Sequence, residues 1–350
     1  MDHIDFSHGG NIYEAKRKYR KEVIDFSANI NPLGLPLGVK KALYKNFDKI
    51  LHYPDPGAKD ITRKIAKYWG ICEENVLVGN GSTELIYLIM YAYKPKTVLM
   101  HAPTFSEYER AARCVKSKIH FLKLKEEEGF GLNLPRLAKV DITFLCNPNN
   151  PTGNLILENH RRVEQLAQKL VVVDEAFMDF LPDQKNYTLI SKAIKSKKII
   201  VLRTLTKFFA LPGLRIGYLI THKNLIAKLK QNLPPWNTNA LAQKATELIL
   251  NDKDYIKKTY KLIEKEKEFL YGQLAKIEAL KPYPTVTNFI LIKIEKTGLT
   301  SKSLRGLLIK KGILIRDCSN FRNLNKKYIR IAVRSHKENL KLLYALKEVL

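Results

Sequence analysis

Between residues 75 and 220, short apolar runs recur at 75–78, 97–100, 119–124, 142–146, 170–173, 199–202 and 216–220, and most stop at a polar or glycine-bearing turn. Helical patterns at 60–69, through Tyr93 and at 158–168 precede or separate them. Strands this uniformly apolar are buried on both faces, and strand–helix alternation joins them as mostly parallel neighbours. The expected fold class is therefore α/β, with a seven-stranded, mostly parallel sheet in a large domain. Ligands in such sheets bind outside the carboxyl ends of the strands.

The turns at those ends carry the chemistry. Gly79-Asn80-Gly81-Ser82-Thr83-Glu84 joins a strand to a helix, so free N–H groups and the helix dipole form either an anion site or an ordinary cap. Asn147-Pro148-Asn149-Asn150-Pro151-Thr152-Gly153 follows the run at 142–146. Asp174 ends the next run, where a carboxylate needs a partner: a cationic ligand atom, a metal or a salt bridge. No His, Asp or Glu cluster at metal spacing accompanies it, so metal is not expected. Lys207 lies between Thr204 and Thr206 on one side and Phe208 and Phe209 on the other, with Arg215 eight residues on. Desolvation and a second cation would lower the amine's pKa and make it a nucleophile; otherwise it is one more surface lysine.

Outside this region, the two glycines of His8-Gly9-Gly10-Asn11 make either a turn that brings main-chain N–H groups close to a ligand or, the favoured reading from the residues alone, an ordinary turn before a helix capped by Asn11. The segment 25–34, with Asn29, is irregular, and 53–56 is a proline-stiffened turn. From about residue 240 the texture changes to one long lysine- and glutamate-rich helix reaching about 276, then strands near 287–294, 313–317 and 328–333, a helix at 301–311 and a last helix after Ser335. This predicts a smaller α+β domain, and the division expected is an arm at 1–34, a large domain at 35–245 and a small one at 246–350. Arg316 and Arg330 sit in its strands, each needing a carboxylate or phosphate from the protein or a ligand.

The 61 Lys+Arg against 34 Asp+Glu give a net charge of +27, which raises the question of nucleic acid. The lysines are dispersed, with no dense basic arm or zinc-finger spacing, so a lysine-rich proteome or attraction of anionic substrates accounts for the charge as well. No apolar run approaches the roughly 18 residues of a membrane span, the first residues lack a secretory pattern, and four scattered cysteines suggest reduced thiols. A cytoplasmic protein without membrane or nucleic-acid partners is expected.

Taken in order, Gly79–Glu84, the Asn147-to-Gly153 turn, Asp174-Glu175-Ala176 and the Thr204-to-Gly217 stretch resemble the fold-type-I pyridoxal-phosphate enzymes, in the aminotransferase branch that includes histidinol-phosphate aminotransferase, over nearly the whole chain. The resemblance implies pyridoxal 5'-phosphate as cofactor. It assigns Lys207 to the aldehyde, Asp174 to the pyridine nitrogen and Asn150 to the 3-hydroxyl. Gly81, Ser82, Thr204 and Arg215 take the phosphate, and Phe105 stacks on the ring. It also implies a homodimer in which Tyr53 reaches the neighbour's cofactor phosphate. Phe177 departs from the pattern, because many relatives carry a tyrosine there.

Within that branch the 8–11 arm, the 25–34 segment and Ile315-Arg316-Asp317-Cys318 are most similar to the L-threonine-O-3-phosphate decarboxylases of cobalamin biosynthesis. By that likeness His8, Gly9, Asn29, Asn150, Arg316 and Arg330 take phosphothreonine, and the products are (R)-1-amino-2-propanol O-2-phosphate and carbon dioxide. Two arginines also suit a ligand with two anionic ends. A histidinol-phosphate-type aminotransferase is the alternative, and a non-catalytic basic regulator of this fold a distant one. Sequence does not separate decarboxylation from transamination, which differ in the bond at Cα held upright to the cofactor ring.

Overall fold

A computed structural model describes residues 5–20, 22–132, 139–157, 163 and 169–350. The strands, in chain order, are β1 (Ile24–Asp25), β2 (Val76–Gly79), β3 (Thr97–Ala102), β4 (Lys118–Lys123), β5 (Ile142–Cys146), β6 (Leu170–Asp174), β7 (Ile199–Thr204), β8 (Gly217–Ile220), β9 (Leu280–Pro282), β10 (Phe289–Ile294), β11 (Ile313–Leu314), β12 (Arg316–Asp317) and β13 (Tyr328–Ala332). Seven of them form one sheet in the order β2-β8-β7-β6-β5-β3-β4. All its pairs are parallel except those of β8, which runs antiparallel to β2 and β7.

The pleat explains the continuous apolar runs. Val171, Val173, Ile199 and Val201 face one core, and Leu170, Val172, Ile200 and Leu202 face another on the opposite side. Each such side chain contributes about 1.5–3 kcal/mol on full burial.

The second sheet is antiparallel, β12-β13-β10-β9, and pairs Arg316 directly with Arg330. The N-terminal segment is tied to this part of the chain: β1 pairs in parallel with β11, and Ala332 N–H donates to the Phe26 carbonyl at 2.8 Å. This is the expected fold, a mostly parallel sheet with smaller antiparallel structure after it.

Some boundaries differ from expectation. The long helix predicted from 240 to 276 is two helices, Ala240–Ile249 and Lys253–Leu274. Asp252 ends the continuity by accepting a hydrogen bond from Tyr255 N–H at 3.0 Å, capping the second helix. The strand expected from 287 begins at Phe289, since Thr285 and Thr287 bond each other beside Gly153. Asn11 does cap the helix Ile12–Tyr19, through Glu14 N–H. The helix predicted at 158–168 lies outside the described residues apart from Val163. Among the described residues no helix is long and apolar enough to cross a membrane.

Candidate active site

A cleft opens where the carboxyl ends of the large sheet meet the antiparallel sheet and the N-terminal segment. Lys207, three residues past β7, lines it. The phenyl rings that follow it turn into the core, where Phe208 and Phe209 pack edge to face at 5.1 Å and Phe209 stacks on Tyr255. Burial, then the charges of Arg330 and Arg215, bring the Lys207 amine down to about 8, with Asp25 opposing. Near neutral pH a usable fraction is therefore unprotonated and nucleophilic.

Asp174 closes β6 and is 2% exposed. Its Oδ2 accepts from the Tyr108 hydroxyl at 2.7 Å and its Oδ1 from Ala176 N–H at 2.9 Å. Burial pushes its pKa up, and these two donors pull the other way. It makes no ion pair among the described residues. A protonated ring nitrogen in the cleft would supply the missing cation. Tyr108, also in the lining, is stacked on Phe144 at 5.0 Å. Sequence reasoning missed it; the available signal was its place in the first turn after Phe105, close to the end of β3.

The helix Gly81–Tyr93 starts at the cleft without a side-chain cap, leaving first-turn N–H groups for a ligand. Gly81 does not itself line the cleft. It has φ +79°, and a Cβ there would lie 2.3 Å from Arg215 Nη2, so glycine lets the guanidinium in. A Cβ on Gly217 would likewise strike Ser82 N at 2.5 Å. Ser82, Thr204 and Arg215 all line the cleft, and Arg215 has no carboxylate partner among the described residues. N–H groups, hydroxyls and a guanidinium whose one described partner is the Pro212 carbonyl converge here and suit a phosphate.

The opposite wall carries Arg330 and Arg316. Arg330 donates through Nη1 to Asn150 Oδ1 and through Nη2 to the Ser27 carbonyl at 2.9 Å, while its buried Nε has no partner among the described residues. Burial brings its pKa down to about 10. Arg316 Nη2 donates to the Ser7 carbonyl at 2.8 Å and to Asn320 Oδ1 at 2.7 Å, with its guanidinium over Phe321. The sequence leaves open a carboxylate partner from the protein; the structure gives both arginines neutral oxygens instead. His8, Gly9, Asn29 and Phe105 complete this side, and Asn29 Oδ1 is buried without a partner among the described residues. A Cβ on Gly9 would sit 2.1 Å from the Ser27 carbonyl, which is how closely the arm approaches.

Two residues stand apart from these groupings. Tyr53 is not in the cleft: it is 80% exposed and stacked on Trp236 at 4.7 Å. Phe177 lines the cleft and packs edge to face on Phe289, so it offers no hydroxyl.

The family model "Aminotransferase class I and II" matches residues 21–346. A Caldanaerobacter subterraneus protein provisionally assigned as a threonine-phosphate decarboxylase is 41% identical over 98% of this chain and 93% of its own length. The threonine-phosphate decarboxylase of Salmonella typhimurium is 36% identical over 98% of this chain and 96% of its own. Histidinol-phosphate aminotransferase of Methanococcus aeolicus is 32% identical, covering 94% and 90%. Among solved structures, L-threonine-O-3-phosphate decarboxylase from Porphyromonas gingivalis superposes with a TM-score of 0.84 at 27% identity, over 93% of this chain and 98% of that one.

Proposed function

We propose that this chain, which belongs to the class I and II aminotransferase family, decarboxylates L-threonine O-3-phosphate with pyridoxal 5'-phosphate as cofactor, giving (R)-1-amino-2-propanol O-2-phosphate and carbon dioxide. The observation that carries the reading is the pairing of Arg316 with Arg330 on adjacent strands, both without a carboxylate partner among the described residues, facing a cleft that already holds Arg215 for a separate phosphate. Three guanidinium groups bonded only to neutral oxygens among the described residues suit three anionic groups: the cofactor phosphate, the substrate phosphate and the substrate carboxylate.

When bound, the cofactor supplies an aldehyde for the substrate amine and a protonated ring that draws off the electrons of the breaking bond. The residues present fit it: a buried acid lacking a cation, a low-pKa lysine, and a glycine-permitted guanidinium beside a free helix N-terminus. Lys207 Nζ would hold the aldehyde in the resting enzyme and afterwards return a proton to the substrate Cα. Asp174, fixed by Tyr108, would hold the proton on the ring nitrogen. Ser82, Thr204 and Arg215 would take the cofactor phosphate, with Gly81 making room for Arg215; Asn150 would take the 3-hydroxyl and Phe105 a ring face. Arg316, Arg330, His8, Gly9 and Asn29 would grip the substrate at both ends and set the torsion that turns its Cα–carboxylate bond upright. Orientation of this kind is worth several kcal/mol. The proton taken up at Cα balances the loss of CO2.

The partner is a second copy of this chain. Tyr44, Phe47, Ile50, Leu51, Tyr53 and Trp236 are all exposed, and a surface this apolar is suited to burial against another protomer. That contact would carry Tyr53 to the neighbour's cleft. The functional reading is tested by supplying L-threonine O-3-phosphate alone and measuring CO2 and the amino-propanol phosphate. Absence of CO2, together with amino transfer from histidinol phosphate to 2-oxoglutarate, would replace it with the aminotransferase reading.

A further inference from the structure

We propose that Glu109 is a positioning residue for the substrate phosphate: it ties the loop 318–327 to the helix Glu107–Cys114 and so holds the Arg316 guanidinium at the cleft. The inference rests on the phosphothreonine reading above.

Among the described residues Arg316 has no carboxylate partner, and what holds it comes largely from one loop. Phe321 lies under its guanidinium at 5.1 Å, and Asn320 Oδ1 accepts from its Nη2 at 2.7 Å. Both residues belong to the connection between β12 and β13, and Phe321 lines the cleft beside Arg316. Asn320 Nδ2 also donates at 3.0 Å to the Ser7 carbonyl, the other acceptor for Arg316. A shift of this loop would therefore move the ring, the amide and the arm's carbonyl together.

The next residue of the loop is its anchor. Arg322 donates through Nη2 to Glu109 Oε1 at 2.7 Å and through Nε to Glu109 Oε2 at 3.1 Å, the forked geometry that suits a guanidinium and a carboxylate. Its guanidinium lies over the Phe121 ring of β4 at 4.3 Å. Asn323 adds one bond, to the Ala102 carbonyl at 3.0 Å. Glu109 is 6% exposed, and Arg113, one turn on in its helix, donates to its Oε1 at 2.8 Å. Burial works against the carboxylate, yet the hydrogen bonds and charges of Arg322 and Arg113 outweigh it and hold the group below its ordinary range. A forked pair with its acid buried differs from the exposed ion pairs that contribute little.

The start of this helix reaches both walls of the cleft. Glu107 Oε1 meets His8 Nε2 in the arm at 2.7 Å, Tyr108 donates to Asp174, and Glu109 accepts from Arg322. One turn of helix thus sets the acid proposed for the cofactor ring and the loop under the arginine proposed for the substrate phosphate relative to each other.

The test uses the cofactor-loaded enzyme and a mutant cycle. Glu109→Gln should lower kcat/KM for L-threonine O-3-phosphate about tenfold and that for unphosphorylated threonine by less than about twofold. In an Arg316→Ala background the same substitution should cost less than about twofold with either substrate, because the side chain it positions is gone. A residue serving stability alone would lower both substrates equally and would add its full cost in that background; either result overturns the assignment. If Glu109→Gln does not fold, Arg322→Gln takes its place, since Arg322 is partly exposed and its removal leaves Glu109 paired with Arg113. It should give the same selective loss, and an unchanged kcat/KM for phosphothreonine would equally overturn the proposal. If wild type releases no CO2 the functional reading fails on its own, and titration of the loaded enzyme with inorganic phosphate decides the role of Glu109: about tenfold weaker binding in the variant supports it, and equal binding overturns it.

Discussion

On the wall proposed to hold the cofactor, Asp174, Thr204 and Lys207 lie at or just past the ends of β6 and β7, neighbouring strands paired in register. On the wall proposed to hold the substrate, Arg330 reaches Ser27 and Arg316 reaches Ser7 across separations of 303 and 309 residues. The first wall is fixed by a sheet buried on both faces, and its acid is steadied by Tyr108. The second is assembled from an arm, an irregular segment and two short strands, and its cations rest on carbonyl and amide oxygens. Chemistry that serves a whole family thus sits on the rigid element, whereas the groups that would choose the substrate sit where backbone neighbours constrain them less.

The sharpest test of this division is Lys207→Ala. Turnover should fall by about ten-thousand-fold or more, since the amine acts both as nucleophile and as proton carrier. Borohydride reduction of wild type should fix the cofactor on the peptide containing Lys207, and labelling of another lysine would break the assignment. The same variant, mixed with a Tyr53→Phe chain, should recover activity in hybrid dimers; mixed dimers without recovery would mean that each cleft is complete within one chain.

Asp174→Ala comes next. Its loss should lower kcat by about 10²–10³-fold while substrate binding changes little, because the ring charge matters as the bond breaks. Near-normal turnover would remove Asp174 from the cofactor wall.

Arg316→Ala should act differently and more mildly. Losing one charge-assisted contact costs ~1.5–3 kcal/mol, or about ten- to a hundred-fold in kcat/KM for phosphothreonine. Unphosphorylated threonine should be affected little. An equal loss for both substrates would move Arg316 from ligand binding to holding the arm through Ser7 and Asn320.

The legibility of the two walls in sequence differs for the same reason. Parallel strands buried on both faces print continuous apolar runs, and the residue after each run is at the ligand end, so Asp174 and the Lys207 segment stand out. Arg316 and Arg330 are readable as buried cations, but their neighbours are not, since nothing local links residue 316 to residue 7. Tyr108 passes for a core aromatic. The break at Asp252 is hidden because Asn251-Asp252 opens directly into the lysine-rich sequence that follows it. The role proposed for Tyr53 rests on family resemblance alone, since the residue is exposed and lies outside the cleft of its own chain.

The separation between the arm and its partners also sets an order of assembly during synthesis. The large sheet has its last strand once residue 220 has emerged. Ser7 must wait 309 further residues for Arg316, on the order of 15–60 s at ribosomal rates of about 5–20 residues per second. A nascent chain therefore carries the strands of its proposed cofactor wall well before the proposed substrate wall can exist, and the arm, made before either, is the last to find its place.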